Sequence, residues 1–343
     1  AHLLRDLTRV LHLDHCALYT ARTLRRRIGF PAIPEQVTAN KEHLHGDSTY
    51  MLRSRQLLRS AFRAAGAALG GTAGVVACQV AYVRLSFQLP PDATGPTSGT
   101  ASAAALRSSG TRRNIIFLGD SLVTGVGCDA EAGEGPTLPR RVAELLSGRL
   151  GVDVGWLALG ETGADVGTLT ERLMPQVQSE VARCGAQGER VDAVVIVCGL
   201  NDMKSCFLHF QPQLNPHAFA GRLRGVVEAV RTSVGDECAV LLPGVSVEGV
   251  PRFEPFWPLS TCIARAAGMW EEQKRTVAHE MSVAGQRVAF SAQAGRLLPT
   301  RDIFCRDGMH PNDRGYAIWA ELVAEDLLSA MALPPKDSGE APP

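Results

Sequence analysis

The sequence predicts an α/β domain in which a five-stranded parallel sheet is covered by helices on both faces. Three observations carry that reading. Strand-like and helix-like segments alternate between residues 114 and 331. The run 191–198 is almost continuously apolar, which suits a strand buried on both sides. Short glycine-containing polar segments follow directly on strand-like runs, at the sheet edge where open α/β folds bind ligands.

Taken in order, the chain begins with a basic arm over 1–60. Residues 1–63 hold 11 Lys/Arg against 5 Asp/Glu, although the whole chain, with 35 of each, has zero net charge. That balance gives no argument for a nucleic-acid partner. The arm either docks on an anionic lipid surface or a partner, or remains solvated. His12 and His15 stand three apart in it, but no Cys/His spacing of the zinc type completes a metal site. Residues 64–83 carry no charge and match the length of a bilayer crossing, so a single transmembrane helix is expected within 61–86. Gly66, Gly70 and Gly74 recur every four residues there, a smooth face on which a helix of a membrane complex can pack. Arg53, Arg55, Arg59 and Arg63 precede the stretch and only Arg84 follows it closely, which keeps the arm on the cytoplasmic or matrix side. A cleaved secretory signal is the less expected reading, because the stretch starts more than sixty residues in. An Arg-rich, acid-poor start favours the mitochondrial inner membrane, with a secretory-pathway membrane as the alternative. Residues 87–111, rich in Pro, Gly, Ser and Thr, read as a linker. The globular domain spans 112–333 and a Pro-rich tail 334–343.

Within the domain, 114–118, 152–159, 191–198, 238–245 and 288–290 read as strands. Residues 137–150, 165–183, 219–234, 259–284 and 313–331 read as the helices between and after them. The nine cysteines form no Cys-x-x-Cys pair, and a disulfide framework is not expected; Cys198 and Cys238 read as small core hydrophobes.

Four segments carry chemistry: Gly119-Asp120-Ser121-Leu122, Gly160-Glu161-Thr162-Gly163, Gly199-Leu200-Asn201-Asp202 and Asp307-Gly308-Met309-His310-Pro311. A serine hydroxyl is a weak nucleophile until a base takes its proton. His310 is the candidate base, and Asp307 lies close enough in sequence to orient it. Attack on a carbonyl makes an oxyanion that needs preorganised donors, for which Ser121 N–H, Gly163 N–H and the Asn201 amide are candidates. Singly, these residues read equally well as a helix cap, turn residues and an Asx-turn.

Together the four segments resemble blocks I, II, III and V of the SGNH hydrolases, the GDSL esterase/lipase superfamily, over about residues 112–332. The thioesterase/lysophospholipase and acetylhydrolase type is closer than the plant lipase type. The resemblance implies a three-layer α/β/α sandwich, a serine ester hydrolase without cofactor or metal, and acyl or lipid-like ester substrates. It implies Ser121 as nucleophile, Asp307 and His310 as acid and base, and Ser121, Gly163 and Asn201 as the oxyanion hole, with Gly163 preferred over Gly160. Block II departs from the pattern, since Ala158-Leu159 stands where an Asn or Asp often opens it. Phe207, Phe210, Phe253, Phe256 and Trp257 border the expected acyl site as a pocket or as cover for the sheet edge, and Lys204 and Arg252 either meet a phosphate or are surface charge. The basic arm and the glycine face motivate a rival reading, an accessory structural subunit of a mitochondrial membrane complex that keeps this fold.

Overall fold

The computed structural model describes residues 70–103, 112–209, 211–293 and 301–332. The arm 1–60, residues 64–69 with Gly66, Phe210 and the tail lie outside them. The described chain starts in a helix, α1, over residues 70–85. It continues as β1 (Ser98–Ala101), β2 (Arg113–Gly119), the one-turn α2 (Ser121–Thr124), α3 (Thr137–Leu150) and β3 (Val154–Gly160). Then come α4 (Val166–Thr168), a π turn (Leu169–Leu173), α5 (Met174–Ala186), β4 (Ala193–Val197), α6 (Leu200–Leu208) and α7 (Pro216–Val234). The chain closes with β5 (Ala239–Pro243), α8 (Leu259–Val283), β6 (Val288–Ser291) and α9 (Asp313–Ala332). The stretch expected as one helix over 165–183 is three pieces. Pro175 has no N–H and crowds the carbonyl four residues back, and the turn before it widens accordingly.

The sheet has six strands in the order β1-β3-β2-β4-β5-β6. This corrects the expectation of five parallel strands. Five are parallel, but β1 pairs antiparallel on the edge of β3, and it comes from the stretch read as linker. Ser98-Gly99-Thr100-Ala101 has no apolar alternation to betray it, because an edge strand can be held by backbone pairing alone. Gly99 is required by contact: a Cβ there would stand 2.9 Å from the Trp156 indole nitrogen.

The period-two pleat divides each strand between two cores. Ile116, Leu118, Val194, Ile196, Val240 and Leu242 face α5, α7 and α8. Ile115, Phe117, Val195, Val197 and Leu241 face α3 and α9. Every residue of β4 and β5 is buried, which is why those runs read as continuously apolar. The three layers expected of an α/β/α sandwich are therefore present. Each of the eight described cysteines is a free thiol.

Among the described residues no helix is long and apolar enough to cross a membrane. The transmembrane reading of 64–83 thus finds no support in residues 70–83. The physical reason is visible in α1, where the Gln79 amide is engaged with protein. Its Nε2 donates to the Trp257 carbonyl at 2.8 Å, and its Oε1 accepts from Leu259 N–H at 3.2 Å. Tyr82 packs on Phe256 with ring centroids 5.5 Å apart. Arg252 donates to Val83 O at 3.1 Å and Ser86 Oγ at 2.7 Å, closing the end of the helix. A Cβ at Gly70 or Gly74 would meet nothing within 4 Å.

Candidate active site

Strand β2 ends on a glycine whose close contacts admit no side chain. A Cβ at Gly119 would lie 2.5 Å from the Val197 carbonyl, so only glycine passes there. Asp120 then caps α2, accepting from Leu122 N–H at 3.0 Å, and Gly125 ends it at φ 76°. The helix cap is therefore Asp120, and Ser121 is the first helical residue. Its Oγ lies 3.0 Å from His310 Nε2.

His310 sits on a tight loop before α9. One oxygen of Asp307 accepts from Met309 N–H at 2.7 Å, His310 N–H at 2.9 Å and Cys305 Sγ at 3.1 Å. Its other oxygen is 2.6 Å from His310 Nδ1. The Asx-turn and the acid–base pair are thus one arrangement: the first oxygen shapes the loop and the second orients the imidazole. Burial opposes ionisation of Asp307. The hydrogen bonds from His310, Cys305 and the two backbone N–H groups outweigh it and hold the carboxyl at about 2. The loop is held from both sides, by Arg252 N–H on Gly308 O at 2.9 Å and Cys305 N–H on His310 O at 2.9 Å. Asn312 caps the start of α9, and the Tyr316 hydroxyl donates to Val126 O at 2.8 Å, tying that helix to the loop after Ser121.

The block III turn opens α6. Asn201 Nδ2 donates to Asp120 Oδ2 at 3.1 Å, which leaves its second N–H uncommitted by that bond. Lys204 Nζ donates to Asn201 Oδ1 at 2.8 Å, so both ends of the amide are held. Asp120 is fully enclosed, and burial pushes its carboxyl up against the pull of Leu122 N–H and the neighbouring His310, Lys274 and Lys204. Burial likewise draws Lys204 below its usual range, opposed by Asp120 and Asp165.

Gly163, on the loop after β3, has φ 87°, and a Cβ there would meet nothing within 4 Å. Gly160 differs, since it packs on Thr124, with the Thr124 Cγ2 2.9 Å from where its Cβ would be. Glu161 N–H donates to Gly119 O at 3.1 Å, which sets this loop beside the Ser121 turn.

The structure thus brings Ser121, His310 and Asp307 into one hydrogen-bonded series, and joins Asn201 to the same site through Asp120. Four supporting residues escape a sequence reading. Asp120 reads as part of a motif and not as a bridge. Asp202, read as a turn residue, is buried and accepts from Val166 N–H at 3.2 and 3.3 Å, tying α6 to α4; burial raises it to about 6. Lys274 lies on α8, with its ammonium wholly buried under the sheet edge. Cys305 donates to the Asp307 carboxylate. Only the apolar helix pattern around Lys274 hinted at burial, and nothing hinted at its partners.

Of the bordering aromatics, Phe207 is half-exposed against Trp270, Phe256 turns to Tyr82, and Trp257 is 76% exposed. Arg252 closes α1 and Lys204 holds Asn201, so each cation has a protein partner. A cavity of 290 Å³ opens at the opposite end of the sheet, lined among others by Ser98, Arg112, Trp156 and Arg183, and contains neither Ser121 nor His310. Among the described residues no three His, Cys, Asp or Glu groups cluster to hold a metal ion.

The pattern of the GDSL-like lipase/acylhydrolase family matches residues 117–318. No curated protein matches the chain. Among solved structures the chain is similar to an acetylxylan esterase from Geobacillus stearothermophilus, at 16% identity and a TM-score of 0.43, over 68% of this chain and 98% of that one. It is also similar to a lipase from a goat rumen metagenome, at 18% identity and a TM-score of 0.44, over 62% of this chain and 96% of that one.

Proposed function

The chain belongs to the GDSL-like lipase/acylhydrolase family and is a serine carboxylic ester hydrolase; from that premise we propose that Ser121, His310 and Asp307 carry the reaction on acyl or lipid-like esters. His310 Nε2 takes the Ser121 proton as Oγ attacks the ester carbonyl. Asp307 holds the imidazole by Nδ1 and stabilises it once charged. The tetrahedral oxyanion is received by Ser121 N–H, Gly163 N–H and the free N–H of Asn201. His310 then passes the proton to the leaving alcohol, and a water, deprotonated by the same nitrogen, releases the acyl group.

One observation carries this reading. Ser121, His310 and Asp307 make contacts of 3.0 and 2.6 Å, although Ser121 and His310 are 189 positions apart in the chain. The test is labelling by a fluorophosphonate together with turnover of a short p-nitrophenyl ester. Wild-type protein is expected to do both and Ser121→Ala neither. A folded wild-type sample that is inert to both reagents overturns the assignment.

The proposal extends to a membrane setting. Support comes from the Arg-rich arm and from α1, where Val75, Tyr82 and Leu85 recur on one helical face and are 47%, 59% and 87% exposed. The inner mitochondrial membrane is the favoured location on the arm's composition, with a secretory-pathway membrane second. Flotation of the full chain with anionic liposomes tests attachment. Co-purification in mild detergent tests the rival role as a subunit of a membrane complex through Gly66, Gly70 and Gly74; a lone monomer would count against that role.

A further inference from the structure

The segment read as a linker reaches the active-site loops. Ala93 N–H donates to Thr124 O at 3.2 Å, Gly135 N–H to Thr94 O at 2.8 Å, and Ala158 N–H to Thr97 O at 2.7 Å, before β1 joins the sheet. The preceding residue, Asp92, makes a side-chain contact of a different kind. Its Oδ1 accepts from Thr124 Oγ1 at 2.8 Å and also from Thr162 Oγ1. Thr124 ends the one-turn helix that starts at Ser121, and Thr162 immediately precedes Gly163.

We propose that Asp92 is a positioning residue for the oxyanion hole, a single carboxylate that buckles the Ser121 turn to the Gly163 loop. The inference rests on the roles proposed above for Ser121 and Gly163. The two threonine oxygens are 2.9 Å apart, and each hydroxyl has one proton. With Asp92 present both protons go to the same charged acceptor, a stronger bond than either hydroxyl makes with the other. Without it, one threonine must turn to its neighbour, to water, or to Ser121 O, which lies 3.3 Å from Thr124 Oγ1. The base of the gap is already set by the sheet, because Gly160 packs on Thr124. The mouth is not, since nothing lies within 4 Å of the Cβ position of Gly163. The backbone holds the start and the turn of that loop, through Glu161 N–H on Gly119 O at 3.1 Å and Ala164 N–H on Glu161 O at 2.9 Å, and Arg172 pairs with Glu161. Thr162 through Asp92 is the side-chain tie that joins it to the Ser121 turn, and Val166 through Asp202 holds its far end. Asp92 is exposed, so removing it uncovers no core.

The experiment uses the full chain and the variants Asp92→Ala, Asp92→Asn, Thr162→Val and the Asp92→Ala/Thr162→Val double. Turnover of a p-nitrophenyl ester is normalised to serine labelled by fluorophosphonate, and amide hydrogen exchange is followed over residues 161–164. Losing an oxyanion donor outright costs about 100-fold or more, so loosening one is expected to lower kcat about tenfold in Asp92→Ala and Thr162→Val, with KM little changed. The double variant should be no worse than either single one, because the same bond is broken. Asp92→Asn keeps an acceptor oxygen and should recover most of the rate. Exchange over 161–164 should quicken in Asp92→Ala at an unchanged melting temperature. Wild-type kcat together with wild-type exchange in Asp92→Ala overturns the proposal, as do losses that multiply in the double variant. If the wild-type protein neither turns over nor labels, the hydrolase assignment has failed, and the exchange at 161–164 alone decides whether Asp92 holds the loop.

Discussion

Replacing Lys274 by Met should cost the fold several kcal/mol, and the structure says why. The side chain is 0% exposed, and its Nζ donates to Pro243 O at 2.7 Å and Cys198 O at 3.3 Å and pairs with Glu271 Oε1 at 2.7 Å. Methionine fills nearly the same volume but donates nothing. It orphans two carbonyls at the ends of β4 and β5, and it leaves Glu271 without its cation. Glu271 is itself raised above the ordinary carboxyl range by burial, against the pull of Lys274 and of Val245 N–H. Breaking a buried pair by removing one partner costs about 3–5 kcal/mol. For a domain of this size, at about 2–4 °C per kcal/mol, the melting temperature should fall by roughly 6–20 °C. The loss should grow with pH. Unpaired Glu271 binds a proton in the folded state at pH values where the unfolded chain has already released it, so raising the pH favours unfolding. Urea unfolding followed by circular dichroism at pH 5 and pH 8 measures both effects, and Lys274→Met/Glu271→Leu should restore most of the loss. Activity should fall as well, because the Cys198 carbonyl anchors the residue before the Gly199-Leu200-Asn201 turn. A penalty below about 1 kcal/mol at both pH values would refute the view that this ammonium supports the sheet edge.

Asn201→Ala should lower kcat by about 100- to 1000-fold with KM little altered, as expected of a donor used in the transition state, and steady-state kinetics on a p-nitrophenyl ester reads both constants. Lys204→Met should lower kcat and remove an alkaline limb from the wild-type pH–rate profile. In the wild type that limb falls below the usual lysine range, because burial favours loss of the proton that holds Asn201 Oδ1; identical profiles would count against the assignment. Asp202 is raised from 3.8 to about 6, so between those values the folded state holds a proton that the unfolded chain lacks, and stability falls as pH rises through that window. The total is about 3 kcal/mol, since one pKa unit corresponds to about 1.4 kcal/mol. Melting temperatures of wild type and Asp202→Asn from pH 4 to pH 7 should diverge accordingly, the variant lacking the decline.

The sequence alone determined what depends on local pattern and residue chemistry. Alternating runs specified the parallel strands β2 to β6 and their covering helices, because a strand buried on both faces must be apolar throughout. Glycines at strand ends marked the edge where Ser121, Gly163 and Asn201 gather, and the short spacing of Asp307 and His310 already implied that one could orient the other. Tertiary structure decided what depends on partners distant in the chain. β1 has no pattern of its own and exists only because the β3 edge offers backbone groups to pair with. The charge-free stretch through residue 83 satisfied a length rule, yet Gln79 and Tyr82 in α1 find their partners at Trp257, Leu259 and Phe256. Asp120, Lys274 and Asp92 reach partners 31 to 81 positions away, whereas Lys204 and Asn201 are three apart on one helix and only their shared placement beside Asp120 is tertiary. A long-range hydrogen bond is set by where side chains end in space, and no periodicity along the chain records that.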